Sequence, residues 1–190
     1  DLNDATISMW FKTSWNTTDP DWTGLFGRWD NYHYNLSYNY DNQSTNIRFG
    51  TGPSSYINDL IEVPNVNDDN WHHVVITRDK ESGVFRFYFD GEFVEDNDAV
   101  HLSWQATSEQ IAGTITSNYP LMLGIHHAGH NRSFNGFVDD ISMWDIELND
   151  SQLNQLFNGV NPSNIASENL KAFWDFEEGQ GAQVLDKSGN

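Results

Sequence analysis

The chain contains no cysteine, which excludes disulfides, thiolate-bound zinc and a cysteine nucleophile. Basic residues are scarce: nine Lys and Arg stand against 28 Asp and Glu, a formal net charge of −19. Nucleic acid and an anionic membrane would both be repelled by such a surface unless cations bridged the contact. No apolar run approaches the ~20 residues of a membrane-crossing helix. The opening DLNDATISMW lacks the basic and apolar regions of a signal peptide, so an export signal would lie outside this stretch. Also absent are HExxH, a Gly-rich phosphate loop before a helix, and the G-x-S-x-G nucleophile turn.

What is abundant is aromatic: eight Trp, seven Tyr and twelve Phe, a composition suited to strands and loops. Period-two alternation begins in ATISMWFKT, where Ile7, Met9 and Phe11 share one face and Ser8, Trp10 and Lys12 the other. LFGRW, NYHYNLSYNYD, NIRFG, NWHHVVITRD, YPLMLGI, FVDDISMW and LKAFWDFEE read as further strands. In GVFRFYFDGEFV, Asp90-Gly91 supplies the positive φ angles of a tight hairpin. A short helix follows Asn149-Asp150-Ser151, with Leu153, Leu156 and Phe157 at helical spacing and Gly159 as its stop. These features predict an all-β protein, an antiparallel β-sandwich with one short helix near 149–158 that covers an open end of the sandwich. Residues 95–118 form a long mixed connection, and the Pro-containing stretch after NIRFG reads as polar loop.

The order of TISMWFKT, NWHHVVITRD, FYFDGEFV, LMLGIHH, FNGFVDDISMWDIELNDSQL and FWDFEEGQGAQVLDKSGN resembles the laminin-G-like domains of the concanavalin-A-like lectin and glucanase superfamily, of the type found in bacterial multidomain surface and secreted proteins. The resemblance spans nearly the whole chain. It implies a jelly roll over residues 1–190, a single domain clipped at both ends from a longer extracellular or cell-surface chain. It also implies a structural Ca²⁺ held by Asp139, with Asp186 and Asn190 of the DKSGN ending as companions. The acidic composition suits that hard cation as well.

Two other groupings have calcium-like spacing. Asp19, Asp21, Thr23, Gly24 and Asp30 fall at EF-hand loop positions, but between strand-like flanks and with Asp in place of the closing Glu. Asn67, Asp68 and Asp69 are what a turn before a strand requires. His126, His127 and His130 crowd a Gly-containing loop where a helical zinc motif is not expected.

Catalysis needs a carboxylate pair about the scissile glycosidic bond. The E-x-D-x-x-E strand pattern of the glucanase relatives is missing, and Asp175 with Glu177 is the nearest imitation. Binding fits better. Sugar rings stack on Trp and Tyr while their hydroxyls seek Asn, Asp and His on loops. That mixture occurs at Trp15, Trp22, Trp29, Asp30, Tyr32 and His33, and again at His126, His127, Asn131 and Arg132. Trp10, Trp71, Trp144 and Trp174 lie at strand spacing and are expected in the core, whereas Trp15 and Trp22 are expected in a polar loop. The sequence therefore points to a non-catalytic, calcium-assisted recognition module for glycan or protein ligands on a cell surface or matrix, in adhesion or substrate targeting. A spacer domain without its own ligand and a divergent polysaccharide-degrading enzyme are the alternatives.

Overall fold

The computed structural model describes residues 3–15, 23–28, 32–41, 44–53, 58–64, 66–96, 120–125 and 133–190. Among these residues the strands are, in chain order, β1 (Ala5–Lys12), β2 (Thr23–Arg28), β3 (Tyr32–Asp41), β4 (Ser44–Pro53), β5 (Asn58–Pro64), β6 (Trp71–Arg78), β7 (Phe85–Phe89), β8 (Glu92–Asp96), β9 (Met122–Leu123), β10 (Phe137–Trp144) and β11 (Leu170–Trp174). They form two antiparallel sheets, one in the order β11-β10-β1-β6-β7-β8 and the other in the order β5-β4-β3-β2-β9.

The alternation of β1 decides where the core lies. Ile7, Met9 and Phe11 face inward and are at most 3% exposed. They pack with Val74, Ile76, Phe85, Phe87 and Ile141 of their own sheet against Leu25 and Phe26 of the other. Each such side chain contributes about 1.5–3 kcal/mol by leaving water. Trp15 packs against this cluster as a partly buried residue, so it is more core-associated than its polar neighbours in sequence suggested. Trp71, expected in the core, is 43% exposed; it opens β6 at the end of the sheet, beyond the reach of either hydrophobic cluster.

The helix forms where capping and spacing indicated. Helix α1 (Asp150–Phe157) begins at a capping box: the Gln152 amide N–H donates to Asn149 Oδ1 at 3.1 Å, and the Asn149 amide N–H donates to Gln152 Oε1 at 3.0 Å. It ends before Gly159, whose φ is +76°. Its location differs from expectation. Rather than closing an end of the sandwich, α1 lies on the outer face of the six-stranded sheet, where Leu153 and Leu156 join Val75, Trp144, Leu170 and Phe173 in a second core. Val75, Trp144, Leu170 and Phe173 project from that end of the outer face, so the face itself had to be covered. The Trp144 indole Nε1–H donates to the Ile165 carbonyl at 2.7 Å and anchors the segment after the helix.

Other details refine the sequence reading. The hairpin at Asp90-Gly91 is present, with φ of +51° and +83° joining β7 to β8. Strand β5 occupies part of the stretch read as polar loop, because pairing with β4 supplies order that its own pattern did not. Thr23 and Gly24 are buried within β2, paired to β3, so they cannot serve as loop positions of an EF-hand. Asp68 accepts bonds from the Asn70 amide and side chain, both at 2.9 Å, in the turn that the Asn/Asp run predicted.

Replacing Trp144 with Ala should cost about 3–5 kcal/mol in urea unfolding, since it empties the second core and orphans the Ile165 carbonyl. Asn149→Ala should cost about 1 kcal/mol. A Trp144→Ala loss no larger than that of the cap variant would contradict this account of the helix cover.

Candidate functional site

Residues opposite one another in an antiparallel pair project from the same face, so the outer face of the six-stranded sheet can be followed row by row. Thr77, Thr6 and Trp144 make one row and Val75, Ser8 and Ser142 the next. Then come His73, Trp10 and Asp139, and last Trp71, Lys12 and Phe137. Helix α1 covers the first two rows. The last stays open: Phe137 is 66% exposed, and its ring centroid lies 6.5 Å from that of Trp71.

A cavity of about 260 Å³ adjoins this open row, lined by Thr13, Ser14 and Trp15 past the end of β1, by Asp69, and by Asn135, Gly136 and Phe137 leading into β10. Buried Thr13 ties these segments together. Its hydroxyl donates to the Asn135 carbonyl at 2.8 Å and accepts from the Trp15 amide at 3.0 Å, while its carbonyl accepts the Asp69 amide at 3.1 Å. Lys12 Nζ lies 3.3 Å from Asp69 Oδ1. Gly136 is required for this closeness, because a Cβ there would lie 2.4 Å from the Lys12 carbonyl oxygen.

A second, smaller cavity of about 140 Å³ sits where α1 leaves the sheet, between Ser8, Trp10, His73 and Asp140 on one side and residues 156–162 on the other. The His73 ring stacks on Trp10, with centroids 4.6 Å apart, and its Nε2 lies 2.8 Å from Ser8 Oγ. Burial lowers His73 to about 4 against the opposing pull of Asp90. Asp140 occupies a bulge, where β10 advances from Asp139 to Ser142 while β1 advances only from Ser8 to Trp10. Its φ is +45°, a conformation Asp tolerates better than most residues. Burial, and then the charges of Asp139, Asp175 and Glu177, raise its carboxyl to about 6.

Each of the three residues expected to hold calcium makes a structural hydrogen bond. Asp139 Oδ1 accepts the Asp140 amide at 2.9 Å, serving the bulge. Asp186 Oδ1 accepts the amides of Phe173 and Ser188, and Asn190 Nδ2 donates to the Leu170 carbonyl at 2.6 Å. Leu170 pairs with Trp144 and Phe173 with Ser142, across the bulge from Asp139, so Asp186 and Asn190 fasten the tail to β11. Among the described residues, no group of three or more His, Asp or Glu is arranged to hold a metal ion.

Of the ligand-binding residues expected from sequence, Trp15 lines the larger cavity. Tyr32 and His33 open β3 in the other sheet. Trp22, Trp29, Asp30, His126, His127, Asn131 and Arg132 lie outside the described residues, as does His130. The sequence reading missed Trp71, Asn135, Phe137 and the Ser8–His73 pair. The outward alternation of Ser8, Trp10 and Lys12 was the available signal.

The Laminin_G_3 family model of the concanavalin A-like lectin/glucanases superfamily matches residues 1–154. The chain belongs to this family. A relative of this laminin G-type chain is the rat (Rattus norvegicus) sushi, von Willebrand factor type A, EGF and pentraxin domain-containing protein 1, 28% identical over 189 residues; the match covers 94% of the chain and 5% of that protein. A crystal structure of a candidate carbohydrate-binding protein from Bacteroides ovatus superposes with a TM-score of 0.65 at 16% identity, covering 99% of the chain and half (50%) of the other. The CBM40 of a Ruminococcus gnavus sialidase, bound to α2,3 sialyllactose, gives 0.54 at 15% identity, with 82% and 83% covered. At these identities the structural likeness shows the fold alone. Among the described residues, no helix is long and apolar enough to cross a membrane.

Asp140 and His73 have opposite effects on stability. An acid with a raised folded pKa adds stability below its unfolded value near 3.8, and that stability is lost as pH rises through 6. A buried base lowered from 6.5 to about 4 adds stability above 6.5, lost as pH falls toward 4. Asp140→Asn should therefore stabilise the protein at pH 7, on the order of 1 kcal/mol after discounting for solvent screening. It should also make stability fall more steeply between pH 6.5 and 4 than in the wild type. Parallel urea-derived pH profiles for the two proteins would refute the assignment.

Proposed function

We propose that this laminin G-type chain is a non-catalytic recognition module that binds glycans along the open row Trp71–Lys12–Phe137 and in the cavity beside it. The observation that carries the reading is the pairing of two large, exposed aromatic rings next to a polar concavity. Exposed rings of this size cost free energy in water, and a sugar's C–H face is a natural cover for them. Ser14, Asp69 and Asn135 supply hydrogen-bonding groups at the rim for ring hydroxyls. A spacer domain would have no need of the exposed pair.

The arrangement also favours binding over hydrolysis. Sugar cleavage requires two carboxylates about the scissile bond, whereas this cavity is lined by one, Asp69, already paired with Lys12. Support for a glycan comes from the Bacteroides ovatus and Ruminococcus gnavus neighbours, whose names refer to carbohydrate binding and to bound sialyllactose. The reading places the module outside the cell within a longer polypeptide, in adhesion or substrate targeting, by analogy with the multidomain name of the rat relative.

A glycan-array screen followed by calorimetric titration tests the reading. Trp71→Ala and Phe137→Ala should each weaken binding by at least about tenfold, or ~1.4 kcal/mol, with little change in melting temperature because both rings are exposed. Thr13→Val, which keeps the shape but loses the hydroxyl, should weaken binding and cost about 1–3 kcal/mol in stability. Glycan binding unchanged in both aromatic variants, or no glycan bound at all, would overturn the proposal.

Calcium enters the proposal through charge rather than a defined ligand set. With a net charge of −19, a divalent cation relieves self-repulsion, and melting should shift upward by a few degrees in Ca²⁺ relative to chelator. Superimposable melting curves would remove calcium from the reading.

A further inference from the structure

The smaller cavity under the end of α1 is separate from the aromatic row and takes no part in the glycan reading. Its features share one electrostatic sign. Asp140 lines it from the bulge, with Asp139, Asp175 and Glu177 acting on the same carboxylate. Lys187 pairs with Asp175 and Glu178, and among the described residues no basic group pairs with Asp140.

The opposite wall is formed by the last turn of α1 and the segment after it. The carbonyls of Asn154, Gln155 and Leu156 there already accept the amides of Asn158, Val160 and Gly159, so the negative potential of the cavity comes from the acidic side chains opposite. His73, held neutral by burial, adds no competing positive charge. The cavity thus attracts a cation. Its walls do not suit a bare metal ion, since aromatic and aliphatic surfaces from Trp10, Leu156, Val160 and Pro162 make up much of the lining.

Its size narrows the choice further. A cavity of about 140 Å³ is close to the roughly 150 Å³ that holds a benzene-sized guest, which suits a four-carbon stem ending in nitrogen. An ammonium group has three N–H donors, and this site offers matching acceptors in the Asp140 carboxylate and the Ser8 hydroxyl oxygen, the latter set by its bond to His73. The apolar walls suit the methylene stem, as lysine commonly buries its stem beside apolar surface. We propose that this cavity receives a lysine side chain presented by a partner protein, a second binding site independent of the glycan surface.

The test titrates the intact chain with Nα-acetyl-lysine methylamide, followed by NMR at the Trp10 indole. Nα-acetyl-norleucine methylamide serves as the uncharged analogue and glucosamine as an amino-sugar control. The lysine compound should bind saturably, and the norleucine analogue should bind at least about tenfold more weakly. Asp140→Asn should lose at least about tenfold affinity while remaining folded, because Asn also tolerates the left-handed backbone. Ser8→Ala should weaken binding in the same direction, and Trp71→Ala should leave it unchanged, which separates this site from the glycan reading. Equal binding of the norleucine analogue, full affinity in Asp140→Asn, tighter binding of glucosamine or no saturable binding would each overturn the proposal.

Discussion

The period-two geometry of β1 is the constraint on which the rest of the molecule depends. Its inward residues, Ile7, Met9 and Phe11, join the two sheets, and its outward residues, Thr6, Ser8, Trp10 and Lys12, mark successive rows of the opposite face. A slip of one residue would exchange these sets, placing Lys12 between the sheets and Phe11 in solvent. The two outward cavities thus inherit their register from the same strand that builds the core. Thr13, just past the strand, extends that control into the loops through its hydroxyl and carbonyl.

The helix divides this face into regions of different character. Where it lies, Val75, Leu153, Leu156, Leu170 and Phe173 pack around Trp144, with Thr6, Thr77 and Ser142 buried among them. Where it stops, polar groups such as Ser8 and His73 remain buried but bonded to each other, as buried polar atoms should be. Beyond it, Trp71 and Phe137 meet solvent. A gradient from sealed to open along one sheet gives its outer face two chemically distinct recesses.

Much of this architecture was legible in the residues. The alternation of β1, the Asp90-Gly91 hairpin and the Asn149 cap are local signals, and each produced the element expected. Long-range relations were less accessible. Trp71 reads as a core residue because periodicity reports which side a residue faces, not whether anything covers that side. Asp139 is singled out by the family resemblance alone, and no local pattern shows the bulge whose Asp140 amide it accepts. The pairing of Ser8 with His73 joins residues 65 apart, and no local pattern encodes it. Strand β5 is defined by its neighbour β4 rather than by its own alternation.

The DKSGN ending has a mechanical meaning. Asp186, Lys187 and Asn190 are fastened along the edge strand β11 through the backbone groups of Phe173 and Leu170. A pull applied at this end of the chain would load those hydrogen bonds before it reached Trp144 or the inter-sheet core. The tail would peel from β11 first, before the packing around Trp144 was disturbed.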